Sequence, residues 1–145
     1  MHMTATGGNC CGVGDRIPAA WFWSKTTKLH ICSGVNNAGN TCYNSSPLPL
    51  NKYTNILIKQ EKEGEKIIYS IAINGKVVKR LQNLKPREYK NVKVWAADNW
   101  YVAANADMRN LEITTDLGTF CSDVILIICW ISYIPFKLVL LFERC

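Results

Sequence analysis

Glycine and proline are scarce in this 145-residue chain, at 9 and 5, which excludes a collagenous or a glycine- and proline-rich disordered protein. Histidine occurs only as His2 and His30, so nucleophilic catalysis has little to draw a base from. Cysteine is plentiful, yet no C-x-x-C pair exists: Cys10 and Cys11 are adjacent, and His30 lies two residues before Cys32 on an expected strand. A zinc site is therefore not expected from spacing. No G-x-S-x-G elbow occurs, and Gly12-Val13-Gly14 precedes no helix that could cradle phosphate. Internal repeats and low-complexity segments are absent. Met1 to Ala20 lacks the apolar stretch of a signal peptide.

What is present is uneven. The chain is 48% hydrophobic and carries 17 Lys+Arg against 11 Asp+Glu, a net charge of +6. Asp123, Lys137, Glu143 and Arg144 cancel, so the whole excess lies on residues 1–119. Such a length suits one domain, not two. Cys32 and Cys42 flank a polar loop between two short expected strands and fit a disulfide, worth about 2–3 kcal/mol through loop closure. Asn44-Ser45-Ser46 is a glycosylation sequon in an expected loop. Without a leader the chain is expected to be either cytosolic or, the reading that a disulfide pair and a sequon favour, a partial chain whose beginning is absent.

Periodicity predicts antiparallel β-structure with little helix. Ile56 and Ile58 alternate with Asn55, Leu57 and Lys59 over about 53–61, and Ile67, Tyr69, Ile71 and Ile73 share one face of the next strand. Asn74-Gly75 predicts a type I′ hairpin, which needs φ > 0 at both positions. The return strand over 76–82 would put Val77 and Leu81 on one face, Val78 and Arg80 on the other. Further strands are expected at 19–23, 28–32, around Cys42, at 92–95 and at 109–114, with Pro47 and Pro49 marking a break. Seven or eight strands without helical crossovers predict an all-β sandwich.

The ordered run Gly14-Asp15-Arg16-Ile17-Pro18-Ala19, Leu29-His30-Ile31-Cys32-Ser33, Leu48-Pro49-Leu50-Asn51-Lys52-Tyr53, Ile73-Asn74-Gly75-Lys76, Asn91-Val92-Lys93-Val94-Trp95-Ala96 and Asp98-Asn99-Trp100-Tyr101, followed by Ala104, Asp107 and Arg109-Asn110-Leu111, resembles concanavalin A-like, laminin-G-related jelly-roll domains of secreted invertebrate proteins. It covers roughly residues 7–115. The resemblance implies a two-sheet jelly roll used for binding or adhesion. It also implies that the first strands are missing, and that any calcium would sit on Asp98 and Asp107, few carboxylates for a six- to eight-coordinate ion. Where such domains carry Asp-Pro-Trp-Tyr, this chain has Asp98-Asn99-Trp100-Tyr101.

Three groups of residues are candidates for chemistry. From Lys66 to Lys93 there are eight Lys/Arg and one acid, Glu88; Lys79, Arg80, Lys85 and Arg87 are the expected contacts for an acidic ligand. The simpler account of these cations is a solvated face that protects a sheet edge. Trp100 and Tyr101 lie in the longest irregular loop, and Trp95 is expected on the face opposite Val92 and Val94. These rings would either stack on sugars or close the loop onto the sandwich. Glu61, Glu63 and Glu65 resemble a glycosidase pair only superficially, because they fall in a charged turn around Gly64.

The last segment, 120–145, is expected to stand apart from the domain at 1–119. Of the 19 residues from Val124 to Phe142, 16 are apolar, about the span of a bilayer core. Two readings stand side by side: a helical single-pass membrane segment over 124–142, and a sequence foreign to the domain. A final strand fits poorly with so long and apolar a run, and a lipid-anchor signal with its charged end. The chain is thus expected to be an all-β, two-sheet antiparallel jelly-roll sandwich with a hydrophobic tail. Its expected role is a non-catalytic extracellular or cell-surface module for glycans or extracellular proteins, not nucleic acid, with no cofactor beyond that calcium. A glycoside hydrolase using Glu61 or Glu63, or a membrane-tethered spacer, is the alternative.

Overall fold

Branched and aromatic residues recurring along the sequence drive much of this chain into paired strands. The computed structural model describes residues 1–97, 100–115 and 136–143, the last stretch and residue 115 as backbone. Ten strands are formed: β1 (His2–Thr4), β2 (Ala19–Phe22), β3 (Lys28–Ser33), β4 (Thr41–Pro47), β5 (Thr54–Glu63), β6 (Lys66–Ile73), β7 (Lys76–Gln82), β8 (Lys93–Trp95), β9 (Asp107–Thr115) and β10 (Phe136–Glu143). They make two five-stranded sheets, ordered β4-β3-β2-β1-β8 and β7-β6-β5-β10-β9. Every pairing is antiparallel. The described residues contain no helix. The protein is an all-β sandwich.

Its core lies between the sheets. The first sheet contributes Met1, Met3, Ala20, Leu29 and Ile31, and the second Ile56, Ile58, Tyr69 and Ile71. Ile56, Ile58 and Ile71 are fully buried, each worth about 2–3 kcal/mol of transfer free energy. The Tyr69 hydroxyl among them is paired: it lies 2.8 Å from Ser33 Oγ, joining the two sheets. Burial holds the Tyr69 phenol well above its ordinary pKa.

The β6–β7 turn is as expected: Asn74 and Gly75 have φ of 49° and 79°, the left-handed pair of a type I′ hairpin. The face assignment on β7 is corrected. A bulge between Ile71 and Ala72 pairs Ile71 with Lys79 but Ala72 with Val77. The extra residue shifts the alternation, so Val78 and Leu81 both pack on the core and Val77 is left exposed. The alternation that would have put Val77 inside assumes an unbroken ladder.

Both ends of the described chain enter the sheets. The start, where the sequence shows no leader-like apolar stretch, is β1, an interior strand of its sheet, with His2 paired to Ala19 and Trp95. Three residues are too few to show a period, but Met1 and Met3 have the core to fill. At the other end, β10 lies between β5 and β9, with Leu138 opposite Ile58 and Ile113 and Lys137 opposite Lys59 and Thr114. The expected helical span 124–142 therefore lies outside the described residues over 124–135, and its last seven residues are strand. Among the described residues no helix is long and apolar enough to cross a membrane.

Candidate functional site

Residues directly opposite one another in an antiparallel ladder project to the same face, and alternate residues repeat it. The registers His2↔Trp95, His2↔Ala19, Trp21↔His30, Ala19↔Cys32 and Cys32↔Cys42 thus set His2, Trp21, His30, Trp95 and both cysteines on one face of the first sheet. Met3, Ala20, Leu29 and Ile31 occupy the opposite, core-facing side. The outward face is an array of rings. His2 packs edge-on to Trp21 and Trp95, with centroids 5.5 and 5.7 Å away. Trp100 covers them, 5.4 Å from His2 and 5.3 Å from Trp95. Tyr101 stands 6.1 Å from Trp21, and Trp23 lies 4.7 Å from His30 at the far end.

Burial divides the array into a floor and an upper layer. His2 is fully buried, whereas Trp23, Trp100 and Tyr101 are 48%, 39% and 54% exposed. His2 is anchored by donation from Nε2 to the Asp15 carbonyl at 2.7 Å, which assigns its tautomer because a carbonyl oxygen can only accept. Asn9 Nδ2 donates to the Tyr101 hydroxyl at 3.4 Å. The expectation that Trp95 turns away from the core, toward a covering loop, is what the register produces. Trp100 folds back onto the sheet and still keeps part of its ring in solvent.

A buried cation completes this face. Arg16 is 5% exposed and stacks on Trp21, with Cζ 4.5 Å from the ring centroid. Nε donates to the Asn9 carbonyl at 2.8 Å and Nη1 to Asn40 Oδ1 at 2.9 Å. Its hydrogen bonds go to neutral oxygens. The adjacent Asp15 carboxylate is taken by Thr6 Oγ1 and by the Gly12 amide. The loop carrying Asn40 approaches closely enough that a Cβ at Gly39 would lie 2.0 Å from the Cys11 carbonyl oxygen, so only glycine fits there.

The four expected basic contacts do not share one site. Lys79, opposite Ile71 on the core side of edge strand β7, donates from Nζ to the Cys42 carbonyl on β4 at 2.8 Å, closing the gap between the sheets. Arg80, next along the strand, points the other way and pairs with Glu63. Arg87 bonds Asn37 Oδ1, and Lys85 is exposed. Glu61 and Glu63 belong to β5 rather than to the turn, and Glu61 pairs with Lys59 at 2.5 Å. Asp107 is exposed at the start of β9 and joins no cluster of three ligating side chains among the described residues. Asp98 lies outside the described residues.

The disulfide Cys32–Cys42 is present as expected, across the β3–β4 ladder, and Cys10 and Cys11 are also bonded. Asn44 is corrected from loop to strand: it lies in β4, an edge strand, which Pro47 does not prevent from forming because an edge tolerates proline. The Asn44 amide oxygen accepts from Trp23 Nε1 at 3.0 Å and lies 2.6 Å from His30 Nδ1. Spacing alone missed one cluster: His30, Cys32 and Cys42 offer ligand atoms within 4.8 Å of one another. The signal available was His-x-Cys on a strand, two residues that share a face, facing a cysteine on the paired strand.

The fold is thus that of an antiparallel β-sandwich with an aromatic outer face. No family model matches the chain, nor does any curated protein or solved structure.

Proposed function

We propose that this protein is a non-catalytic recognition module of the extracellular space or cell surface, with a jelly-roll sandwich of the concanavalin A-like, laminin-G-related kind, and that it binds glycans on the aromatic face of its first sheet. The observation that carries the reading is the cluster of Trp21, Trp95, Trp100 and Tyr101 over β1, β2 and β8, with Trp100 and Tyr101 partly in solvent. Aromatic faces pack against the C–H faces of sugar rings, and their polar edges suit a half-wet site. Arg16 beside Trp21, satisfied only by neutral oxygens, and the exposed Lys85 and Arg87 favour ligands with carboxylate or sulfate groups. Two disulfides accord with an oxidising compartment.

The test is a mixed glycan array probed with the full chain at two salt concentrations, followed by titration of the best ligand. Binding should fall more than tenfold in Trp100→Ala and Tyr101→Ala. It should fall less in Lys85→Ala/Arg87→Ala, whose share should vanish at high salt. Binding that survives both aromatic substitutions, or no binding to any glycan, would leave a protein-contact or spacer domain. Hydrolysis of a bound polysaccharide, lost in Glu61→Gln or Glu63→Gln, would replace the reading with an enzyme.

A further inference from the structure

Beside the aromatic face, the β3–β4 ladder holds a group that glycan recognition does not use. Cys32 and Cys42 are directly opposite one another, and His30 precedes Cys32 by two residues on the same face. His30 Nε2 lies 3.1 Å from Cys32 Sγ, and all three potential ligand atoms fall within 4.8 Å. Around a tetrahedral zinc ion, ligand atoms at about 2.0–2.3 Å from the metal are separated by about 3.5–3.8 Å, so the three side chains already converge on a volume of that size. Cys32 is fully buried, while His30 and Cys42 are half-buried, leaving access from solvent for the ion and for a fourth ligand.

The surroundings are those of a built site. The Asn44 amide oxygen accepts from Trp23 Nε1, which settles which way the amide points, since a ring N–H needs an acceptor. The same oxygen then receives His30 Nδ1–H at 2.6 Å. His30 Nε2 is therefore left with its lone pair directed at the sulfurs, the tautomer that a metal-binding histidine needs and that a carbonyl-type partner commonly enforces. Two cations flank Cys42: Lys79 on its carbonyl oxygen, and Arg16 on Asn40 Oδ1, which itself lies 3.4 Å from Cys42 Sγ.

We propose that reduction of the Cys32–Cys42 bond converts this cross-strand cluster into a binding site for zinc or another thiophilic cation, with His30 Nε2, Cys32 Sγ and Cys42 Sγ as ligands and Asn44 as the residue that positions His30. A dithiol reductant supplies two electrons and two protons to the S–S bond and is itself oxidised to its disulfide. The incoming Zn²⁺ then displaces the two thiol protons, forming two Zn–S bonds and one Zn–N bond, with water in the fourth position. The two thiolates balance the charge of the ion. The protein thereby holds either a disulfide or a metal at one place. This inference does not depend on the glycan reading.

The experiment uses the full chain, reduced with dithiothreitol, desalted without oxygen and titrated with Co²⁺ as a spectroscopic probe and with Zn²⁺ against a chromogenic chelator. Near-ultraviolet circular dichroism follows the fold throughout. The reduced protein should take up Co²⁺ with the sulfur-to-metal charge-transfer band and the visible bands of a tetrahedral thiolate site, and the oxidised protein should not. His30→Ala, which keeps every cysteine, should weaken Zn²⁺ at least tenfold, and Asn44→Ala about 10–100-fold. Cys42→Ser should abolish the cobalt spectrum although five other cysteines besides Cys32 remain. The proposal is overturned by a cobalt spectrum indifferent to His30→Ala and Cys42→Ser, which would move the metal to other cysteines. It is equally overturned by no uptake in the reduced chain, or by a reduced chain that loses its fold and does not regain it with Zn²⁺.

Discussion

The two sheets share one core and present opposite kinds of outer face. On the first, rings pack on rings over a buried histidine and a buried arginine. On the second, the outward positions flanking β6 carry charges: Lys59 pairs with Glu61 and Arg80 with Glu63, at registers next to the buried Ser70 and Ile68. Long charged side chains shelter a sheet with their aliphatic stems while their heads stay in water. An aromatic face gains more contact area but remains partly apolar toward solvent. The comparison also shows why the richest run of Lys and Arg is not the most suggestive surface. Three of its cations are engaged within the protein, Lys79 in clasping the sheets, Arg80 with Glu63 and Arg87 with Asn37.

Perturbing what the faces share should outweigh anything done to either alone. Ile71→Ala, which empties part of the common core, should destabilise the protein by about 2–5 kcal/mol in urea denaturation. A loss below about 1 kcal/mol would mean that the sheets do not depend on this contact. Next in size, Arg16→Met should cost about 1.5–3 kcal/mol by removing charge-assisted bonds to Asn9 and Asn40. Its effect should appear equally at low and high salt, because the guanidinium is buried. An effect that fades with salt would put Arg16 among the surface cations.

Alkali probes the core in a different way. The Tyr69 phenol is raised by burial, with Ser33 opposing, and the half-buried Tyr89 is raised in the same direction, with Arg87 opposing. In the unfolded chain both phenols lose their protons near pH 10, while the folded chain retains them. Stability is therefore undiminished below that pH and falls as pH rises above it. Tyr69→Phe should be less stable at neutral pH, having lost the bond to Ser33, yet show a shallower alkaline decline. Urea midpoints at neutral pH and above pH 10 would test this, and an unchanged slope would contradict it. The smallest effect belongs to the charged face: Arg80→Ala should change stability by no more than about 1 kcal/mol, less at high salt, and leave glycan titrations unaltered. A change comparable to that of Arg16→Met would erase the contrast between the faces.

Much of the sandwich was legible because its strands advertise themselves. The Ile56/Ile58 alternation, the Tyr69–Ile71–Ile73 face and the Asn74-Gly75 turn are local signals, and each appears where the pattern puts it. The disulfide was legible from two short strands around a polar loop. The elements that escaped are those whose signal is not local. Strand β1 is too short to have a period, and β10 belongs to a run read from its apolarity as a membrane span, while its hydrogen bonds depend on β5 and β9. The bulge on β7 put Val77 and Leu81 on different faces, because one extra residue between them reverses the alternation.

The candidate sites divide in the same way. That Trp95 turns from the core, and that Trp100 and Tyr101 sit in an irregular loop, follows from alternation and composition. That they meet His2, Trp21 and Arg16 does not, since those residues are brought together only by pairing β1 with both β2 and β8. Likewise His30 and Cys32 share a face by strand geometry alone, but Cys42, Asn44 and Lys79 join them through sheet register and through the approach of β7 to β4. Sequence determines what a strand presents on each side, because backbone sterics fix that alternation. Which strands become neighbours is decided by burying one core between two sheets, and the chemistry of both outer faces follows from that choice.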